Sequence, residues 1–155
     1  MGARESILRR IADVAMPKRE MPNVEGIAKI TFEDRVAKFA EMVQSVGGEV
    51  EFVEASALEN LPQPYHHSKL GVAENGAVWL PCKGDRREVF ACEHLRVAIA
   101  ATDVVDTMHD AVERVSLEGY EFGVFVSGPS KTADIEQALV LGAHGAMTAT
   151  IYIYK

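Results

Sequence analysis

The residues best suited to chemistry follow an apolar run near the C-terminus. Phe122 to Val126 is typical of a buried strand, and Ser127-Gly128-Pro129-Ser130 comes directly after it. Open α/β sheets bind ligands beyond the carboxyl ends of their strands, and glycine lets backbone approach closely. We expect Ser130, Lys131 and Thr132 to begin a helix, whose free N–H groups and dipole would favour an anion. The alternative is that Ser130 or Thr132 only caps this helix.

Two acidic residues belong to the same block. Asp134 and Glu136 follow the serine-rich loop and would lie in the first turn of the predicted helix. Because like charges repel, we expect both carboxylates to orient the loop and not to contact an anion.

Glu74 is the candidate catalytic residue. The segment Glu74-Asn75-Gly76 separates two short apolar runs, and Asn-Gly is the strongest short-range signal for a tight turn. A carboxylate held rigidly between two strands can act as a nucleophile or a general base. The alternative is a solvent-facing hairpin residue with no role in chemistry.

The histidines and cysteines do not form a metal-binding pattern. Cys92-Glu93-His94 is the closest cluster, but neither C-x-x-C nor H-E-x-x-H spacing occurs. The two cysteines, Cys82 and Cys92, argue against a disulfide framework. G-x-G-x-x-G, Walker and G-x-S-x-G motifs are also lacking. The sequence therefore predicts no metal site.

Helices and strands alternate along the chain. Ser6–Met16 has the one-sided apolar spacing of an amphipathic helix that Pro17 ends. Thr31 and Asp34 resemble a capping box before a second helix, which Gly47-Gly48 ends. A third helix is predicted at Asp103–Val115 and a polar loop at Lys83–Glu88. Two short strands are predicted beside the Asn-Gly turn, one on each side. Further strands are predicted at Glu49–Glu54, Leu95–Ala101, Phe122–Val126 and Thr148–Tyr154.

This alternation, with continuously apolar strands, predicts an α/β fold with a mostly parallel sheet. We expect a single three-layer domain at residues 31–155, preceded by an N-terminal helix and loop arm at residues 1–30. The arm packs on its own domain or on a neighbouring subunit. If Thr148–Tyr154 were an uncovered edge strand it would aggregate, which favours a homodimer.

Composition excludes several classes of partner. The chain has 155 residues and 48% hydrophobic content, which suits one globular domain. Its formal net charge of -7 does not favour nucleic acid or an anionic membrane. There is neither a signal-peptide core nor an apolar run of membrane-spanning length. We therefore expect a cytoplasmic protein.

A family resemblance rests on the C-terminal motif. The segment SGPSKTADIEQALVLGAHG, followed by TATIYIY, closely resembles the signature of the LUD domain, typified by lactate-utilisation protein C. That signature runs S-G-P-S-x-T-x-D-I-E, then V-L-G-x-H-G. The segment GVAENGAVWL resembles the family's strand-turn-strand. The chain looks like a shortened member, with material missing between Val53 and Gly71 and with Ala146 where a proline is common.

The resemblance implies a fold like that of the NagB, ribose-5-phosphate isomerase and CoA-transferase superfamily. CoA transferases of that superfamily form an acyl-CoA thioester on the glutamate of an E-N-G turn, which makes CoA a candidate ligand beside Glu74. LUD proteins are associated with L-lactate oxidation alongside iron–sulfur partner subunits. Because this sequence lacks the cysteine runs that hold such a cluster, the cluster would belong to a partner.

Together these features predict a pocket for a small anionic metabolite. Gly128, Ser130 and Thr132 would contact a carboxylate or phosphate, with Glu74 opposite, and no intrinsic cofactor is expected. The further ligand-binding candidates are Asn75, Gly76, Ser127 and His144. Three functions remain open: a ligand-binding accessory component of lactate or other organic-acid utilisation, a CoA- or acyl-transfer enzyme using Glu74, and a shortened, non-catalytic assembly or regulatory protein.

Overall fold

A computed structural model describes residues 2–14, 19–20, 22, 29–133 and 139–155 of the chain. The helices are α1 (Ala3–Ala12), α2 (Arg35–Ser45), α3 (Arg87–Phe90) and α4 (Met108–Arg114), with short 3-10 helices at Ala55–Asn60 and Ala101–Asp103. The strands are β1 (Glu49–Val53), β2 (His66–Ser68), β3 (Gly71–Val72), β4 (Ala77–Cys82), β5 (His94–Ala100), β6 (Val104–Val105), β7 (Phe122–Val126), β8 (Lys131–Ala133), β9 (Leu139–Leu141) and β10 (Thr148–Tyr154).

The first sheet has four parallel strands in the order β1-β10-β5-β2. Strands β10 and β5 are paired over their full lengths, from Thr148 opposite His94 to Tyr154 opposite Ala100. The predicted strand Thr148–Tyr154 is confirmed with the same bounds. It is an interior strand, however, so an exposed edge at Thr148–Tyr154 gives no argument for a homodimer.

The second sheet is mixed, in the order β6-β3-β4-β7. Strands β3 and β4 pair antiparallel across the Asn-Gly turn, which confirms the predicted strand-turn-strand. Strand β7 has the predicted bounds, but it is a half-buried edge strand and not a fully buried one. The buried hydroxyl of Ser68, at the end of β2, lies 2.8 Å from the carbonyl oxygen of Trp79 in β4 and so joins the two sheets.

Helices cover the sheets from two sides. The larger core cluster packs α2, through Phe39 and Val43, and α3, through Val89, against β4, β5 and β10. A smaller cluster packs Ala111 of α4 against the other face of the mixed sheet. Burial of these apolar side chains is the main stabilising contribution to such a domain. The predicted three-layer α/β class with a mostly parallel central sheet is therefore confirmed.

Helix α2 begins later than the predicted capping box required. Asp34 is the N-cap itself, because its carboxylate accepts hydrogen bonds from the backbone N–H groups of Val36 (3.1 Å) and Ala37 (2.9 Å). The box with Thr31 was therefore wrong. A short aspartate side chain reaches the second and third amide groups of the helix that follows it, which Thr31 is too distant to do.

Helix α4 is shorter than the predicted helix Asp103–Val115. Val104 and Val105 form β6, which pairs in parallel with β3, so these β-branched residues add a strand before the helix starts. Thr107 is the N-cap and forms a capping box with Asp110, whose carboxylate accepts from the Thr107 N–H at 3.2 Å.

The predicted polar loop Lys83–Glu88 is also corrected in part. Residues Arg87–Phe90 form α3, because Val89 packs into the core, where the exposed fraction of its side chain is only 3%. A single turn of helix brings this apolar side chain inward while its charged neighbours stay in water.

The N-terminal arm contains α1, which buries none of its residues. The helix predicted at Ser6–Met16 is present but shifted towards the N-terminus, and residues 15–18 lie outside the described part of the chain. Among the residues that the structure describes, no helix has the length and apolar character needed to cross a membrane.

Candidate functional site

The Glu74-Asn75-Gly76 turn and the Ser127–Ser130 loop meet beside the end of α2. The hydroxyl of Ser127 donates a hydrogen bond of 2.7 Å to the carbonyl oxygen of Asn75. These segments are far apart along the chain. Because β4 and β7 pair antiparallel, the turn before β4 and the loop after β7 lie at the same end of the two strands. The structure therefore places the loop directly beside the turn.

Two glycines allow this close packing. Gly76 has φ of +68°, and an added Cβ would lie 2.6 Å from the backbone nitrogen of Val43 in α2. Gly128 has φ of +70°, and its Cβ would lie 2.8 Å from the carbonyl oxygen of Val46. A side chain at either position would be strained and would also push the loop away from α2.

The predicted helix at Ser130 is wrong. Strand β8 starts at Lys131 and pairs antiparallel with β9. The backbone N–H of Ser130 donates to the carbonyl oxygen of Ala146 at 2.8 Å, and the Ser130 carbonyl accepts from Gly142 at 3.2 Å. Ser130 is therefore neither the start of a helix that could bind an anion nor a helix cap. Its backbone amide instead forms a hydrogen bond at the base of the β8–β9 hairpin.

A cavity of about 290 Å³ opens between the Ser127–Ser130 loop, the segment His144–Ala146 and α3. Its lining residues in the described part of the chain are Val89, Phe90, Leu95, Val124, Phe125, Val126, Ser127, Gly128, Pro129, Ser130, Lys131, His144, Gly145 and Ala146. Of the predicted ligand-binding residues, Ser127, Gly128, Ser130 and His144 are thus brought together around one cavity.

Several residues that line this cavity carry hydrogen-bond donors. The Ser130 Oγ accepts from the His144 backbone N–H at 3.3 Å, which leaves the hydroxyl hydrogen free to donate to a ligand. Within the described residues, the backbone N–H groups of Gly128 and Gly145 have no hydrogen-bond partner. The imidazole of His144 adds a further polar group.

The local charge also suits an anion. No acidic side chain is present among the described residues that line the cavity. The ammonium group of Lys131 donates to the carbonyl oxygen of Val46 at the end of α2, which fixes a positive charge close to the cavity wall. An anion at this site would meet N–H dipoles, a hydroxyl and a cation, although the whole chain is acidic.

Glu74 does not line the cavity. Its Oε2 accepts a hydrogen bond of 2.9 Å from the backbone N–H of Met108, the first residue of α4. The Asn75 Oδ1 accepts from the Ala77 N–H at 3.0 Å and so closes the turn. Both side chains satisfy backbone donors, and the turn contributes to the site by supporting Ser127.

Three further predicted residues have no observed place in the cavity. Thr132 directs its hydroxyl to the carbonyl oxygen of Val140 at 3.3 Å, within the β8–β9 hairpin. Asp134 and Glu136 lie outside the described residues.

The apolar wall of the cavity was missed by reasoning from the sequence. Phe90 and Val89 come from α3, and Leu95 and Val124 come from β5 and β7. The alternation of side chains along a strand predicts which residues share a face. It does not predict which of these residues border a cavity, because that depends on where α3 packs. Gly145 was not predicted either, although the V-L-G-x-H-G motif contains it next to His144.

Both cysteines of the chain lie in its described part and are half-buried. Cys82 and Cys92 are free thiols, and burial raises the pKa of both, which keeps them protonated near neutral pH. Across the described ranges, no three His, Cys, Asp or Glu side chains are grouped for a metal ion.

The family model described as the LUD domain matches residues 67–154, which is more than half of the chain. This chain belongs to the LUD domain family. The matched region of the LUD domain includes the Asn-Gly turn, α3, the Ser127–Ser130 loop and His144.

A solved structure agrees with this fold. The chain is similar to a DUF162 family protein from Deinococcus radiodurans, with a TM-score of 0.61 and 12% identity, over 82% of this chain and 100% of that one. At this identity the similarity shows the fold alone. No curated protein matches the chain at a significant level.

Proposed function

We propose that this LUD domain binds a small organic-acid anion in the cavity between the Ser127–Ser130 loop and α3. The observation that carries the proposal is that one cavity is lined by Ser130, His144, Gly128 and Gly145, which offer a hydroxyl, an imidazole and two backbone N–H groups, and by no acidic residue in the described part of the chain. Cavities of a few hundred Å³ with a few convergent polar groups are typical of small-molecule sites.

The proposed role is that of a ligand-binding component in the utilisation of lactate or a related organic acid. The LUD resemblance associates such proteins with iron–sulfur partners, and the two cysteines of this sequence are too few to hold a cluster. Electron transfer would therefore require a partner protein. The anion would be held by Ser130, His144 and the amides of Gly128 and Gly145, with Lys131 supplying long-range attraction.

Isothermal titration with sodium lactate and sodium pyruvate tests this proposal. We expect saturable binding to the wild type, and Ser130→Ala should weaken it by about tenfold, because a hydrogen bond to a charged ligand contributes roughly 1.5–3 kcal/mol. Ser116→Ala is the matched control, since the Ser116 hydroxyl accepts from the neighbouring Glu118 N–H and Ser116 is not among the residues lining the cavity. The absence of binding, or equal affinity in wild type and Ser130→Ala, would contradict the proposal.

A further inference from the structure

The lining residues of the same cavity indicate the size and polarity of the ligand that it would bind. We infer that the preferred ligand is an organic acid with a bulky apolar side chain, which packs on Phe90 while its carboxylate faces the Ser127–Ser130 loop. This inference rests on the proposed function and adds the substrate class.

The first observation is the division of the cavity into two sides. Donor groups belong to the loop and to His144, whereas Phe90, Leu95 and Val124 supply apolar lining, which we call the apolar side of the cavity. A short acid such as lactate would satisfy the donors and leave the apolar side in contact with water. An acid that also covers this side removes apolar surface from water, which is favourable in proportion to the area covered.

The second observation is the state of Phe90. Its side chain remains 41% exposed at the cavity, although the neighbouring Val89 is almost fully buried. The Phe90 ring lies nearly parallel to that of Phe122, with 6.5 Å between centroids and 20° between planes. The guanidinium of Arg86 in turn lies 4.8 Å from the Phe122 ring centroid. Phe90 is thus an exposed aromatic group held in place at a cavity wall.

The third observation concerns the depth of the apolar side. Leu95 lines the cavity and yet is only 2% exposed, so it forms a buried floor of the apolar side. A polar ligand gains nothing from this floor. An aromatic or branched side chain would contact Phe90, Leu95 and Val124 together, and its ring would stack against Phe90 in a geometry that aromatic pairs favour.

Competitive titration with lactate and phenyllactate tests the inference. Both acids carry the same hydroxy-carboxylate group, so the difference in affinity measures the apolar side alone. We expect phenyllactate to bind at least about tenfold more tightly, since even a single added methylene in an apolar pocket is worth about tenfold or more. Phe90→Ala should reduce this preference to about threefold or less, because it removes the ring on which the phenyl group would pack.

Two further variants keep this test specific. Phe52→Ala removes an aromatic side chain that is 60% exposed and is not among the residues lining this cavity, so it should retain the full preference. Phe90→Leu retains an apolar side chain and should restore part of the preference. Because Phe90 is partly exposed, both substitutions at this position are compatible with folding, and the melting temperature of each variant verifies it.

The possible outcomes separate the two proposals. Equal or tighter binding of lactate by the wild type overturns the inference and leaves the proposed function standing. A preference for phenyllactate that persists in Phe90→Ala overturns the assignment of Phe90. If neither acid binds, the proposed function is wrong, and the inference falls with it.

Discussion

At the scale of single residues, two glycines set how closely two loops approach α2. Both lie in the left-handed region of φ, and both have backbone of α2 where a side chain would begin. Gly76 holds the Asn-Gly turn against Val43, and Gly128 holds the Ser127–Ser130 loop against Val46. The position of Ser127 and the shape of the cavity therefore depend on these two contacts.

Gly76→Ala should destabilise the domain more strongly than Gly84→Ala. Gly84 has a similar φ of +82° but no atom within 4 Å of an added Cβ, so it carries only the conformational cost of about 1–2 kcal/mol. Gly76→Ala adds a 2.6 Å approach to Val43 N, and we expect roughly 3 kcal/mol or more in total. Urea denaturation of the wild type, Gly76→Ala and Gly84→Ala measures the free energy of unfolding of each. An equal loss of stability in the two variants would show that α2 moves away from the added Cβ at no energetic cost.

Much of this residue-scale information is readable in advance. The pair Asn75-Gly76 predicts a tight turn because both residues tolerate positive φ. The role of Gly128 in close backbone approach is also predictable from its place after a strand. The identity of the approaching backbone is not, since Val43 and Val46 are distant in sequence and reach the glycines only through packing.

At the scale of elements, the caps decide where helices begin. Asp34 accepts two backbone hydrogen bonds at the start of α2, and α2 carries Phe39 and Val43 into the core and Val46 to the candidate site. The start of α2 is therefore important both for stability and for the position of the loop glycines.

Asp34→Ala should lower the free energy of unfolding by about 1 kcal/mol, within the range of roughly 0.5–2 kcal/mol known for lost N-caps. Glu33→Ala is the matched control, because it removes a neighbouring carboxylate that makes no capping bond. Chemical denaturation compares the two variants. A loss in Glu33→Ala as large as that in Asp34→Ala would mean that general charge near the helix start is responsible.

The β8–β9 hairpin is an element that local pattern did not reveal. Ser130 to Glu136 has the small and acidic residues of a helix start, and reading it as a helix follows ordinary propensity. The structure instead pairs Lys131 with Leu141 and Thr132 with Val140. Because a strand gains its hydrogen bonds from a partner elsewhere in the chain, a local preference for helix can be overridden.

At the scale of the whole molecule, the segment before α2 is tied to the start of α4. The backbone N–H of Phe32 donates to Asp106 Oδ1 at 3.0 Å, and Lys29 Nζ lies 2.7 Å from Asp110 Oδ1. Arg35 completes this group at 3.8 Å from Asp106 Oδ2. Among these contacts, the ion pair of Lys29 joins the end of the proposed arm to the domain.

This connection should weaken in acid. The hydrogen bond from Lys29, followed by that from Thr107, lowers the pKa of Asp110 from 3.8 to about 2. A carboxyl whose pKa is lower in the folded state stabilises the fold above the unfolded value, and this contribution is lost as the pH falls from 3.8 towards 2. Asp110→Asn should therefore lose less stability than the wild type over this range.

Melting temperatures near neutral pH and at about pH 3 measure the effect. Asp103→Asn serves as the control, since Asp103 forms no ion pair with any described residue. The control should keep the acid sensitivity of the wild type. The same acid sensitivity in Asp110→Asn as in the wild type would contradict a role for Asp110.

The sequence was sufficient to predict the class of fold, the family resemblance, the Asn-Gly turn and the strands Phe122–Val126 and Thr148–Tyr154. Each follows from local patterning, because side-chain alternation and turn propensity act over a few residues. The packing of distant segments was needed to show that Thr148–Tyr154 is interior, that a hairpin follows Ser130, and that Phe90 borders the cavity. These depend on which distant segments pack together, and burial of apolar surface is a non-directional force that no single segment specifies.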